Sequence, residues 1–220
     1  MPDPSDEYLD LLDWRRRVAA LWARWRAAAA TDPAAATAVF RAARDRLFRE
    51  HPQSPLPPGD RARFRGLAHW PYDPAWRMTA RLEPAAAERG PTPVATLPSS
   101  GPDALAFRRI GSVALSGPLA GERLPVFWIE SYGGGVFLPF RDTTSGTETY
   151  GAGRYLLDTL KSADHGTDPA TGELILDFNM AFHPSCAHDP RWSCPLAPPE
   201  SRLSVAVRAG ERLRLSPRRP

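Results

Sequence analysis

Cysteine, lysine and long apolar runs are all scarce in this chain. Two cysteines in 220 residues are too few for the disulfide framework of a small secreted domain. Lys161 is the single lysine, so arginine carries nearly all the positive charge. That bias is compositional before it is functional. The longest apolar stretches, such as 124–129, fall far short of the roughly 20 residues that span a bilayer, which argues against a membrane partner. The N-terminus, Met-Pro-Asp-Pro-Ser-Asp-Glu, is acidic where a secretory signal needs positive charge, and a cytoplasmic protein is expected. The basic surplus is only +3. Acids interleave with bases over most of the chain, and the arginine clusters (Arg15 to Arg17; Arg212, Arg214, Arg218 and Arg219) do not join into a phosphate-tracking stripe. No nucleic-acid partner is expected.

Proline is in excess. There are 25, where about 5% of residues is usual, so many loops and short elements are required. A hydrophobic fraction of 42% is that of a globular protein able to bury a core.

Two regions differ in period. Tyr8, Leu11, Leu12, Val18, Leu21, Trp22 and Trp25 recur at three- and four-residue steps, the mark of one apolar helix face. Asp3, Asp6, Glu7, Asp10 and Asp13 crowd the positive end of that helix dipole. Thr31-Asp32-Pro33 stops it and starts a second helix to about Glu50, with Ala36, Phe40, Ala43 and Leu47 on its apolar face. His51 to Pro58 holds four prolines in eight residues and predicts a stiff, extended linker. Asp60 to Arg65 fits one more helical turn. From Gly66 the period becomes two. Strands are expected at 76–83, 104–116, 123–130, 173–178 and 203–207, with a bulge at Gly111 and a hairpin turn at 133–135. The segment 84–102 reads as a surface connection. These features predict a mainly β, α+β overall, protein: an antiparallel sandwich or barrel-like domain over 59–220, with an N-terminal helical hairpin and linker over 1–58.

The chemistry-bearing residues gather in the last third, from Phe140 to Tyr155 and again from Asp177 to Glu200. Arg154 offers a forked donor suited to a carboxylate or phosphate, and Tyr150 a hydroxyl on the same face if 149–156 is extended. Asp177 and Asn179 end a strand-like run. They could orient a ligand, or bond their own backbone. The glycines of Tyr150-Gly-Ala-Gly-Arg154 are turn formers; no Walker lysine accompanies them. Trp70, Tyr72, Trp76, Phe127 and Trp128 lie in strand-like runs and are read as core. Cys186 and Cys194, with His183 and His188 near them, lack the tight knuckle of a zinc site. Buried thiols, a disulfide, a metal site and a catalytic thiol all stay open. His51 at a helix end reads as structural.

These segments together resemble an uncharacterised bacterial and archaeal family, the domain of unknown function 1684. The likeness rests on His51-Pro-Gln-Ser-Pro-Leu56, Phe64-Arg-Gly-Leu67, the run from Leu138 to Tyr155, Asp177-Phe-Asn179, Cys186-Ala187, Cys194-Pro195 and Ala209-Gly-Glu211. The family pattern carries Asn, Tyr and Asn where this chain has His183, His188 and Ser201. The resemblance implies no reaction and names no cofactor.

The expected function is binding of an anionic small molecule: Arg154 for the anion, Tyr150 and Asn179 to orient it, and Asp142, Glu148 or Asp177 as acid or base if chemistry occurs. The competing reading is a non-catalytic interaction module whose polar groups satisfy one another. A metal site at Cys186 and Cys194 is the weaker third. A homo-oligomer stays open.

Overall fold

The structure is a computed structural model describing residues 4–85, 94–102 and 105–214. Two helices open it, α1 (Pro4–Ala29) and α2 (Pro33–Glu50), followed by the single turn α3 (Pro58–Arg61). Asp32 caps α2 as its sequence predicts: its carboxylate accepts from the Ala35 amide, and Pro33 supplies the first position. Leu21, Trp22, Trp25 and Ala29 of α1 pack with Ala36 and Phe40 of α2, and with Ala163 and Met180 of the sheet region. The hairpin is thus docked by its apolar stripe.

Among the described residues ten strands follow: β1 (Ala68–His69), β2 (Arg77–Ala80), β3 (Leu82–Pro84), β4 (Val94–Thr96), β5 (Ala106–Ala114), β6 (Arg123–Ile129), β7 (Val136–Phe140), β8 (Arg154–Asp158), β9 (Leu174–Asp177) and β10 (Glu211–Arg212). The main sheet runs β3-β5-β6-β7-β8, with β4 also on β5. Two antiparallel pairs, β2–β9 and β1–β10, stand apart from it. Every strand pair is antiparallel. The fold is therefore mainly β with an N-terminal helical hairpin, and among the described residues the sheet does not close into a barrel.

Both faces of the main sheet are apolar. Val113, Leu124, Val126, Leu138, Phe140 and Leu156 meet Met78, Leu176, Phe178, Leu203 and Val207 on one side. Phe107, Phe127, Ile129, Phe137 and Tyr155 meet Leu97 and Phe182 on the other. β7 and β8 are almost wholly buried, so they show none of the alternation that betrays a half-exposed strand. The register slips between Arg109 and Gly111, where the bulge is expected. A Cβ at Gly111 would lie 2.3 Å from the Glu83 carbonyl oxygen, so only glycine lets β3 approach.

Three expectations need correction. The linker at 51–58 is not an extended spacer but folds back: His51 is buried, its Nε2 donates to Asp13 (3.1 Å), and Ser54 Oγ donates to the Phe48 carbonyl (2.6 Å). The expected connection at 84–102 contains β4 and an isolated bridge at Ser99; its middle, 86–93, lies outside the described residues. So do Asp3, Arg218 and Arg219. Finally, 203–207 forms no strand: Leu203 and Val205 bond the backbone of Arg141 and Thr143, while side chains take up Val207, as shown next.

Candidate functional site

Of the six side chains singled out in the sequence, five fall into three separate groups and Glu148 stands apart. The first is an interior ion pair. Arg154 Nη2 donates to Asp142 Oδ2 at 2.9 Å, and both residues are 1% exposed. The same guanidinium donates to the carbonyls of Val207 (2.7 Å), Ala209 and Glu211 (3.1 Å). Asp142 Oδ2 also accepts from the Val207 amide (2.8 Å), while Oδ1 accepts from the amide and hydroxyl of Thr144. A carboxylate and a guanidinium thereby satisfy backbone groups at 207, 209 and 211. A turn at Gly210 (φ +77°) presents the neighbouring carbonyls to Arg154, and a Cβ there would meet the Ala181 carbonyl at 2.5 Å. Burial pushes the Arg154 pKa down to about 10, against the pull of Asp142, so the guanidinium stays charged at neutral pH.

Glu148 does not join this pair. It faces outward and is held by Arg208 through three hydrogen bonds of 2.8–3.1 Å, which lower its pKa.

The second group is Asp177 with Asn179. Asp177 Oδ1 accepts from the amide and side chain of Asn179 (3.0 and 2.9 Å), and Oδ2 from Arg77 (3.2 Å). Asn179 in turn bonds both the amide and the carbonyl of Asp73 (3.0 and 2.8 Å), tying the 70–76 loop to β9. Burial raises the Asp177 pKa despite these bonds.

The third group is Tyr150 with the cysteines. Because 149–153 is a turn and not a strand, Tyr150 and Arg154 do not share a face. The Tyr150 hydroxyl lies 3.7 Å from Cys186 Sγ, and its amide donates to His183 Nε2 (3.3 Å). That bond fixes His183 as a neutral ring with Nδ1 towards Glu211. Cys186 and Cys194 are both buried and free, and the Cys186 amide donates to Cys194 Sγ at 3.4 Å. No group of three or more His, Cys, Asp or Glu side chains among the described residues is arranged to hold a metal ion.

None of the six lines the cleft between the hairpin and the sheet region. Its larger chamber, about 330 Å³, lies among Trp14, Arg15, Lys161, Trp192 and Cys194. A smaller one, about 100 Å³, reaches Arg44, Tyr155, Asp158, His183 and His188. The chambers share Trp14, Val18, Pro55, Lys161 and Ser185. Asp158 is 3% exposed; its Oδ1 accepts from the Lys161 amide (3.3 Å), and burial raises its pKa. His188 Nε2 is buried without a protein partner, and burial lowers the ring's pKa to about 4. Arg44, paired with Glu211, lies over the rings of Phe48 and Phe182 at 4.8 and 5.4 Å. Asp158 carries no motif in the sequence; of the residues the sequence singled out, Cys194, His183 and His188 line these chambers. A groove of about 540 Å³ between α1 and α2 is lined by a mixture of acids and arginines.

The arrangement is that of a mainly β protein with a docked helical hairpin, whose most interior charged groups brace the chain. The chain belongs to the family described as protein of unknown function (DUF1684), whose pattern matches residues 62–212. It is similar to an uncharacterised protein from Haloarcula marismortui solved in solution by NMR, at 32% identity over 81% of this chain and 92% of that one, with a TM-score of 0.55. No curated protein matches it. Among the described residues, no helix is long and apolar enough to cross a membrane.

Proposed function

We propose that the chain binds an anionic small molecule in the cleft between α1 and the sheet region. One observation carries this reading: the larger chamber is walled by two cationic side chains, Arg15 and Lys161, and by no acid. Its volume is at the lower end of the range for ligand sites, and Trp14 and Trp192 offer flat apolar contact. An anionic group would sit at Lys161 and Arg15, with the body of the ligand against Trp14. Asp158, kept protonated to a higher pH by burial, and His188, with its open ring nitrogen, stand at the inner end as the acid and base if chemistry occurs. On this reading Arg154, Asp142, Asp177 and Asn179 brace the site and do not touch the ligand.

The test is a thermal-shift screen of carboxylates and phosphates against wild type and Lys161→Ala. The expected result is a rise in Tm of several degrees for wild type with at least one anion, absent in the variant. A screen in which both proteins respond alike to every anion overturns the reading. A second reading, a brace-rich module with no ligand, is favoured by the dense mutual bonding of Asp142 with Arg154 and of Asp177 with Asn179. The same screen decides between them.

A further inference from the structure

We propose that Cys186 and Cys194 form a thiol–disulfide exchange site that reacts with low-molecular-weight disulfides. The inference needs no ligand in the chamber beside Cys194, so it stands or falls separately from anion binding.

Three observations carry it. First, the cysteines are close and held in place. Cys194 Sγ accepts from the Cys186 amide at 3.4 Å, and Cys186 Sγ lies 3.7 Å from the Tyr150 hydroxyl. Cys186 sits in a single helical turn, Ser185–Ala187, whereas Cys194 is anchored to a different segment: its amide donates to Ser100 Oγ (2.9 Å) and its carbonyl accepts from the Ser100 amide (3.0 Å). A bond between the sulfurs would thus join two segments that already meet at Cys194 Sγ. Second, access is unequal: Cys186 is the more exposed of the pair, 8% against 2%, although Cys194 borders the larger chamber. Third, the surroundings favour a single negative charge on the pair. The Cys194 thiol, with the Tyr150 hydroxyl, pulls the Cys186 pKa down to about 6, while donating to that thiolate holds the Cys194 proton on. Tyr150, pushed up to about 12 by burial, stays a phenol able to donate. Free thiols buried for packing alone need neither the phenol nor the shared proton.

The step balances with a disulfide R–S–S–R as the oxidant. Cys186 Sγ, as the thiolate, attacks one sulfur of R–S–S–R, and R–S⁻ leaves. Cys194 gives its proton to that thiolate and attacks Cys186 Sγ. The protein disulfide forms, the mixed disulfide breaks, and the second R–S⁻ leaves to be protonated by water. Two electrons pass from the protein to the small disulfide.

The experiment treats the full, folded chain with excess 2-hydroxyethyl disulfide at neutral pH and reads intact mass and peptide maps. Wild type is expected to lose two hydrogens, retain no adduct, and give a peptide cross-linked between Cys186 and Cys194 that dithiothreitol reverses. Cys194→Ser is expected to keep one mixed disulfide on Cys186, because nothing resolves it. Cys186→Ser is expected to react at least about tenfold more slowly, since its remaining thiol is the deeper one and holds its proton. Both serine variants are checked for a native circular-dichroism spectrum. Wild type that keeps the adduct, or that reacts only when denatured, overturns the proposal. So does equal reactivity of the two variants.

Discussion

Arg154 is the residue on which the interior turns. Its guanidinium closes four hydrogen bonds inside a site with almost no solvent, three of them to backbone carbonyls. Removing it leaves the Asp142 carboxylate buried beside orphaned carbonyls. Arg154→Met is therefore expected to cost about 3–5 kcal/mol in urea unfolding, the usual penalty for stranding half of a buried pair. Glu148→Gln, which breaks the exposed contact with Arg208, is expected to leave the urea midpoint unchanged. Equal effects at the two positions would mean that the interior pair is not what holds 203–211. The sequence marked Asp142 and Arg154 as unusual, but not as partners of each other. Their meeting depends on β7 and β8 lying side by side, which no local pattern announces. Asp158 was illegible for a related reason: it stands alone in its own segment, and only the docking of α1 turns it into a wall.

At the scale of elements, the helical hairpin was readable and part of the sheet was not. The three-and-four spacing of Leu21, Trp22 and Trp25 is a surface property of one helix and needs no knowledge of its partner. β7 and β8 are buried on both faces, so the period-two signal vanishes, and Pro139 within β7 further disguises it. The 203–207 run failed in the opposite sense: its backbone meets Arg141 and Thr143 through only two bonds, and the side chains of Asp142 and Arg154 take up Val207. Trp25 is the natural probe of hairpin docking. It is 2% exposed, donates its indole proton to Thr37 (3.2 Å), and packs on Trp22 and His165. Trp25→Ala is expected to destabilise the chain by about 3–5 kcal/mol, as large-to-small changes in a core do. A loss below about 1 kcal/mol in urea unfolding would show that the sheet region stands without the hairpin.

Across the whole molecule, buried imidazoles set the response to acid. His69 and His165 are lowered to about 3, His183 to about 2 and His188 to about 4, each mainly by burial. The unfolded chain binds protons on these rings near the ordinary histidine value, about 6.5, while the folded chain refuses them. Their contribution is thus complete above that value and is lost as pH falls below it. Asp158 and Asp177, raised by burial, act in the opposite sense: the folded state keeps their protons to a higher pH, so stability falls as pH rises through the range just above the ordinary aspartate value. Four histidines against two aspartates leave a net loss on acidification. The urea midpoint is expected to drop steeply from about pH 7 to about pH 5. A flat profile over that range would contradict the neutral, buried state of these rings.

The bracing of 203–211 also fixes an order of events in time. The carbonyls that Arg154 needs lie 53, 55 and 57 residues further along the chain. A ribosome adding about 5–20 residues per second delivers them several seconds after the arginine itself. The helical hairpin, whose contacts are local, closes within microseconds to milliseconds of emerging. During synthesis the molecule therefore spends seconds with its helices formed and its central cation unanswered, exposed to whatever chaperone or stray anion is nearby. Only when the last strand, β10, arrives opposite β1 does the charge leave the solvent.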